Sequence, residues 1–188
     1  MSDKPKLYDY QEEGVRMELA MKRCINGDDM GTGKTVQSIV AIERAKATPC
    51  LVICPAALKV NWEREIKKFT NLRPLILTDS VNATYGYHLT KMDLYDVVIC
   101  NYESLAKYFV VSLGEKPLKL KNFIFRNEVD IMKSVIIDES AILTTQQQVS
   151  LLLLTPTRLV LHIFATQSIV TQTGLASCSL TLSSTTTL

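Results

Sequence analysis

The feature that most constrains the fold is a short apolar run, Cys-Leu-Val-Ile-Cys, enclosed by Pro49 and Pro55. A run without alternating polar residues is typical of a strand buried on both faces of a sheet. Comparable runs predict three further strands, at 75–77, 96–100 and 134–138. Apolar residues at helical spacing predict helices over 10–23, 33–47 and 57–69. Helices that alternate with buried strands predict an α/β fold with a mostly parallel sheet.

Charged residues are distributed unevenly along the 188-residue chain, although its net charge is only +2. Of the 21 basic and 19 acidic residues, all but Arg158 lie in 1–139. Because a folded domain needs charged surface for solubility, the sequence predicts one domain over 1–140. The remainder, 141–188, is a low-charge tail rich in Ser, Thr and Leu. The near-neutral total gives no support for a general polyanion binder.

A glycine-rich segment opens the second predicted helix and carries the clearest chemistry. It follows the short run Cys24–Gly27. Glycines let a backbone wrap closely around phosphates, and the helix N-terminus adds partial positive charge. Lys34 would reach the β- and γ-phosphates of a nucleotide, and the Thr35 hydroxyl would bind Mg²⁺. The predicted nucleotide-contacting residues of this segment are Met30, Gly31, Thr32, Gly33, Lys34 and Thr35.

The apolar strand at 134–138 ends in two carboxylates, Asp138 and Glu139. Ligands of parallel sheets collect at the carboxyl ends of the strands, so both carboxylates should face the glycine-rich segment. Asp138 would hold Mg²⁺, and Glu139 would act as general base toward the attacking water. These residues predict a nucleotide and Mg²⁺ as cofactors, the nucleotide being ATP on the family resemblance described next. The predicted catalytic residues are Lys34, Asp138 and Glu139.

Residues 7–140 resemble the first RecA-like lobe of the Swi/Snf-type ATPases, a branch of the superfamily-2 helicase-like enzymes. The resemblance rests on five motifs in order, which begin at Leu7, Asp28, Leu51, Asp96 and Val135. It implies a three-layer lobe built around a phosphate-binding loop, with Gln11 bonded to the adenine edge. It also implies DNA-stimulated ATP hydrolysis and translocation along double-stranded DNA.

The same resemblance implies a DNA-contacting surface at the strand ends, where backbone N–H groups and a lysine meet phosphates. The residues that it assigns to this surface are Pro55, Ala56, Lys59, Asn101 and Tyr102. Trp62 is interpreted as a core residue instead. Lys67 and Lys68 are interpreted as part of a solvated helix face.

The resemblance stops after Glu139, because Ala141 stands where the family has a His that couples hydrolysis to DNA. The lobe is therefore predicted to be truncated after the Asp-Glu strand, and a shift of reading frame is the hypothesis for 141–188. Strand-like composition at 151–154 and 159–164 leaves room for a substitute strand. Because the resemblance assigns catalytic arginines to a second lobe, this chain is expected to bind ATP without translocating alone.

Two alternatives stay open beside an ATP-binding lobe. One is an inert fragment or a non-enzymatic interaction module, since truncation would leave a sheet edge unpaired. The other is an unrelated phosphate-loop NTPase such as a small kinase. The Gln11 segment and the motif from Pro55 to Trp62 argue against the kinase.

Five cysteines without paired spacing predict free thiols in a reducing compartment and disfavour a zinc site. The N-terminus has no apolar signal segment, so a cytoplasmic location is expected. The apolar stretch 151–170 raises the question of a membrane span. Pro156, Arg158 and His162 interrupt this stretch, so no span is expected.

Overall fold

The computed structural model describes residues 4–21, 23–112, 124–138 and 159–163. The helices are α1 (Asp9–Met21), α2 (Lys34–Arg44), α3 (Lys59–Phe69), α4 (Tyr85–Thr90), α5 (Leu105–Phe109) and α6 (Glu128–Ile131). The strands are β1 (Arg23–Asn26), β2 (Cys50–Cys54), β3 (Pro74–Ile76), β4 (Val97–Asn101), β5 (Val110–Ser112), β6 (Ile124–Phe125), β7 (Ser134–Asp138) and β8 (Leu159–Ile163). The predicted strands and the three long helices are confirmed, with ends that differ by a few residues.

Six of these strands form one sheet in the order β1-β8-β7-β2-β4-β3, and every described pairing in it is parallel. The remaining two strands, β5 and β6, pair as a small antiparallel ribbon. The central strands β2, β4 and β7 are buried along their whole length. This arrangement confirms the α/β class and the parallel sheet.

Two separate apolar cores cover the two faces of the sheet. Cys50, Val52 and Cys54 of β2 pack with apolar residues of α1, α2 and α3. Leu51 and Ile53 of the same strand pack with residues of α4, α5 and α6. Because alternate residues of a strand point to opposite faces, β2 contributes to both cores, and the lobe has three layers.

The strand β8 corrects the prediction that the sheet is truncated after the Asp-Glu strand. It lies between β7 and β1 and pairs parallel with both. Without it, both strands would present unpaired N–H and C=O groups along one edge. The domain boundary at residue 140 and the hypothesis of a shifted reading frame lie outside the described residues and stay predictions.

The cysteines of the described ranges are free: Cys24 is half-buried, while Cys50, Cys54 and Cys100 are buried. Burial raises the pKa of the Cys50 thiol to about 12. Within the described parts of the chain, no cluster of three or more His, Cys, Asp or Glu side chains could hold a metal ion. No helix there is long and apolar enough to cross a membrane. Most of the stretch 151–170 lies outside the described residues.

Candidate functional site

The carboxyl ends of neighbouring strands line up at one edge of the sheet. Through β8, Asn26 at the end of β1 lies in register with Asp138 at the end of β7. Cys54 and Asn101, which end β2 and β4, are paired with each other at the same edge. Because neighbouring strands lie about 4.8 Å apart, Asn26 and Asp138 are roughly 10 Å apart. The loop after β1 and the Asp138 carboxylate therefore share one edge.

The loop between β1 and α2 is closed around the ammonium group of Lys34. Its Nζ donates to the main-chain carbonyls of Asp28, at 2.5 Å, and Asp29, at 2.9 Å. Gly31 and Gly33 have positive φ angles of 84° and 80°, which other residues rarely adopt. The loop thus has the tight backbone curvature that a phosphate-binding loop needs.

Gln11 is bonded directly into this loop. Its Nε2 donates to the carbonyl of Thr32 at 3.0 Å, and its Oε1 accepts the N–H of Tyr8 at 3.1 Å. A Cβ atom on Gly33 would lie only 2.4 Å from the Gln11 Nε2, so a larger residue at this position would displace the Gln11 amide. A bond from Gln11 to adenine stays a prediction; the contact that the structure gives it is with the loop.

A cleft of about 550 Å³ opens between α1 and the loop. Tyr10, Gly14 and Met17 line its helix side, and Asp28 and Thr32 line its loop side. This volume lies within the range of ordinary small-molecule sites. The cleft therefore offers room for a ligand beside the loop.

Three further residues were assigned to the predicted site: Met30 and Thr35 as nucleotide contacts and Glu139 as general base. Met30 is 63% exposed in the loop. Thr35 is half-buried in the first turn of α2. Glu139 lies outside the described residues, so its role as general base stays a prediction.

Asp138 is almost fully buried and is held from two sides. Trp62 donates its Nε1–H to the Asp138 Oδ2 at 2.7 Å. The Tyr102 hydroxyl donates to the main-chain carbonyl of Asp138. Trp62 is 1% exposed, which confirms its interpretation as a core residue, but sequence reasoning did not find its bond to Asp138.

A buried polar cluster beneath the loop also went unpredicted. The Asn26 Nδ2 donates to the Glu18 Oε1 and to the Gln37 Oε1, both at 3.0 Å, and the Ser38 hydroxyl donates to the Glu18 Oε1 at 3.2 Å. The Asn26 Oδ1 accepts the N–H of Asp28. Burial raises the pKa of the Glu18 carboxyl to about 7, against the opposing effect of the bonds from Asn26 and Ser38. The cluster joins α1, β1 and α2 to the start of the loop.

The residues predicted to contact DNA lie in two neighbouring turns. Pro55, Ala56 and Lys59 follow β2, and Ala56 is exposed. The Lys59 Nζ donates to the Asn101 Oδ1 at 3.2 Å and so links the turn after β2 to the turn after β4. The side chain of Tyr102 is buried, so only its main chain is available for a contact with DNA. The structure brings these five residues together.

Comparison with known families gives a match over most of the chain. A family-level sequence model described as the SNF2-related domain matches residues 10–161. The chain belongs to the SNF2-related domain family. Membership confirms the resemblance to the Swi/Snf-type helicase-like ATPases.

Relatives of this SNF2-related domain are much longer proteins. The Caenorhabditis elegans SWI/SNF-related matrix-associated actin-dependent regulator of chromatin subfamily A-like protein 1 homolog is 28% identical over 140 residues, 73% of this chain and 18% of the relative. The Danio rerio chromodomain-helicase-DNA-binding protein 1-like is 42% identical over 69 residues, 32% of this chain and 7% of the relative. The chain therefore spans less than a fifth of either relative.

Solved structures match the SNF2-related domain over a larger share of this chain. The Sulfolobus solfataricus SWI2/SNF2 ATPase core in complex with dsDNA gives a TM-score of 0.61 at 25% identity, over 87% of this chain and 32% of that chain. T4 UvsW gives a TM-score of 0.62 at 12% identity, over 88% of this chain and 31% of that chain. These likenesses confirm the RecA-like fold of helicase cores.

Proposed function

We propose that this SNF2-related domain binds Mg·ATP at the carboxyl edge of its sheet. The observation that carries the proposal is the strand register, which aligns the start of the loop with Asp138. Further support comes from the donor set, because the Thr35 hydroxyl and the Asp138 carboxylate are hard oxygen ligands of the kind that Mg²⁺ prefers. When bound, the ion neutralises charge on the β- and γ-phosphate oxygens.

Each residue of the proposed site has a separate task. Lys34 offers its ammonium group to the β- and γ-phosphates, in exchange for the two loop carbonyls that it contacts in this structure. Gln11 holds the loop through Thr32. Glu139 takes the proton of the attacking water.

We also propose that duplex DNA contacts the turns after β2 and β4 through its phosphates. The Sulfolobus solfataricus SWI2/SNF2 ATPase core that matches this fold is a complex with dsDNA. Lysine side chains and main-chain N–H groups are common phosphate donors, and such contacts carry no sequence information. Lys59 is the charged residue of the two turns that joins them.

Replacing Lys59 by alanine should weaken duplex binding and lower the slope of log affinity against log salt concentration by about 1, the loss of one phosphate contact. Fluorescence anisotropy of a labelled duplex at several salt concentrations measures both quantities. Lys67→Ala is the matched control, because Lys67 lies farther along α3, is exposed and pairs with Glu63. An equal effect of both substitutions would place the DNA elsewhere.

Hydrolysis by the 188-residue chain alone should be slow, because the family resemblance assigns the catalytic arginines to a second lobe. Such arginines contribute roughly 10³–10⁵ in rate in related phosphoryl-transfer enzymes. Single-turnover hydrolysis with and without duplex DNA tests this expectation. Rapid turnover stimulated by DNA would contradict it. A chain that binds no ATP and melts without a cooperative transition would favour the inert fragment.

A further inference from the structure

The carboxylate of Asp138 has a buried hydrogen-bond donor that belongs to a distant part of the chain. The Trp62 Nε1 lies 2.7 Å from the Asp138 Oδ2, and the two residues are 76 positions apart. Asp138 is 6% exposed and Trp62 is 1% exposed. A hydrogen bond to a charged acceptor at this distance, shielded from water, is among the strong ones in proteins.

The main chain of Asp138 is held by a second aromatic residue. The hydroxyl of Tyr102, which is itself 7% exposed, donates to the Asp138 carbonyl oxygen. Trp62 follows the turn after β2, and Tyr102 follows β4 directly. The segments that follow β2 and β4, two strands on the same side of β7, therefore both reach Asp138 through a buried hydrogen bond.

We propose that Trp62 and Tyr102 are positioning residues for Asp138 in metal-dependent nucleotide binding, which rests on the function proposed above. The indole fixes the rotamer of the carboxylate by engaging Oδ2. A carboxylate held in one orientation would then hold the ion or its water. Tyr102 fixes the main chain from which that side chain projects. Neither side chain is proposed to contact the phosphates of the nucleotide.

The packing alone does not account for this arrangement. An apolar residue of similar size could fill the position of Trp62 in the core. The buried Asp138 carboxylate would then lack its hydrogen-bond donor, at a cost in stability. Partners that orient metal-binding groups typically change metal affinity by roughly 10–100-fold when they are removed. The effect of losing the indole N–H should therefore appear in the metal dependence of binding.

Trp62→Phe keeps an aromatic ring but removes the donor. We expect this variant to need roughly 10-fold or more Mg²⁺ for half-maximal binding of a non-hydrolysable ATP analogue. Its affinity for the same analogue in EDTA should stay close to that of the wild type. A residue with a purely structural role would change both affinities or neither.

Tyr102→Phe provides a second variant that removes only a hydroxyl, and it should change the Mg²⁺ requirement in the same direction by a smaller factor. Its matched control is Tyr108→Phe, because Tyr108 is about as buried but donates to Asp79 and not to Asp138. Trp62 is the only tryptophan in the chain, so its single indole N–H resonance reports on this bond. Asp138→Ala should move that resonance upfield.

The outcomes separate this inference from the proposed function. If wild-type affinity for the analogue is the same in Mg²⁺ and in EDTA, the proposed Mg²⁺ site is contradicted, and the positioning role of Trp62 and Tyr102 is contradicted as well. If wild-type affinity depends on Mg²⁺ and both aromatic variants keep the same Mg²⁺ requirement, the positioning role alone is overturned. If Trp62→Phe does not fold, two other measurements test the positioning role. An unchanged Mg²⁺ requirement in Tyr102→Phe together with an unshifted indole resonance in Asp138→Ala would overturn it.

Discussion

Lys34→Ala is expected to remove the stabilisation that Mg·ATP gives to the folded protein. The loop is closed around the Lys34 ammonium group, whose two contacts are main-chain carbonyls of that loop. Without the ammonium, the loop loses the charge that attracts phosphates. A ligand at 100 times its Kd stabilises a protein by about 2.7 kcal/mol, and this gain should disappear in the variant. Thermal unfolding with and without Mg·ATP measures the loss.

Lys133→Ala is the control for this substitution. Lys133 is exposed and precedes β7, at the edge of the sheet opposite to Asp138. We expect this variant to keep the full nucleotide-dependent increase in Tm. An equal increase in Lys34→Ala would contradict the proposed role of the loop.

Glu18→Gln should stabilise the protein at pH 8 and give no such gain at pH 4.5, where Glu18 is protonated in the folded protein. Burial raises the pKa of Glu18 from 4.5 to about 7 in the folded state. The folded protein therefore keeps a proton that the unfolded chain loses, and stability falls as pH rises from about 4.5 to 7. A shift of this size corresponds to about 3 kcal/mol.

Glutamine carries no charge, but its amide nitrogen would replace the Glu18 Oε2, which has no hydrogen-bond partner among the described residues. The expected gain is therefore between about 1 and 3 kcal/mol.

Urea unfolding of both proteins at a series of pH values between 4.5 and 8 measures this difference. The two stability curves should diverge as pH rises and run parallel above pH 7. Glu63→Gln is the control, because Glu63 forms a surface pair with Lys67 in α3 and its loss should cost at most about 1 kcal/mol. If the curves for Glu18→Gln and wild type stay parallel throughout, folding does not raise the pKa of Glu18, and the prediction is wrong.

Most of the fold could be predicted because its signals are local. The apolar runs that became β2, β4 and β7 and the spacing in α2 and α3 depend only on neighbouring residues. The position of β8 between β1 and β7 could not be predicted in this way. Composition allowed a strand near 159–164, but the order of strands depends on contacts between segments that are far apart in the sequence.

The candidate site likewise has residues that the local sequence predicts and contacts that only the folded chain shows. The glycines and Lys34 could be found because a phosphate-binding loop is a continuous segment. The bond from Trp62 to Asp138 joins residues 76 positions apart, and no local pattern encodes it. Glu18 left a weak signal, since it shares the buried face of α1 with Gln11 and Val15 at helical spacing. A charged residue on an apolar helix face indicates a buried polar cluster, but its partners appear only in the folded chain.

The proposed position of the metal can be tested by paramagnetic broadening of the Trp62 indole resonance by Mn²⁺. The metal that accompanies a nucleotide in the loop should lie beside Asp138, whose carboxylate accepts the indole N–H. Mn²⁺ with a non-hydrolysable ATP analogue should broaden this single resonance beyond detection, whereas Mg²⁺ with the same analogue should not. Lys34→Ala should prevent the broadening. An indole resonance that stays sharp when Mn²⁺ and nucleotide are saturating would contradict the proposed site, because the metal would then lie far from Asp138.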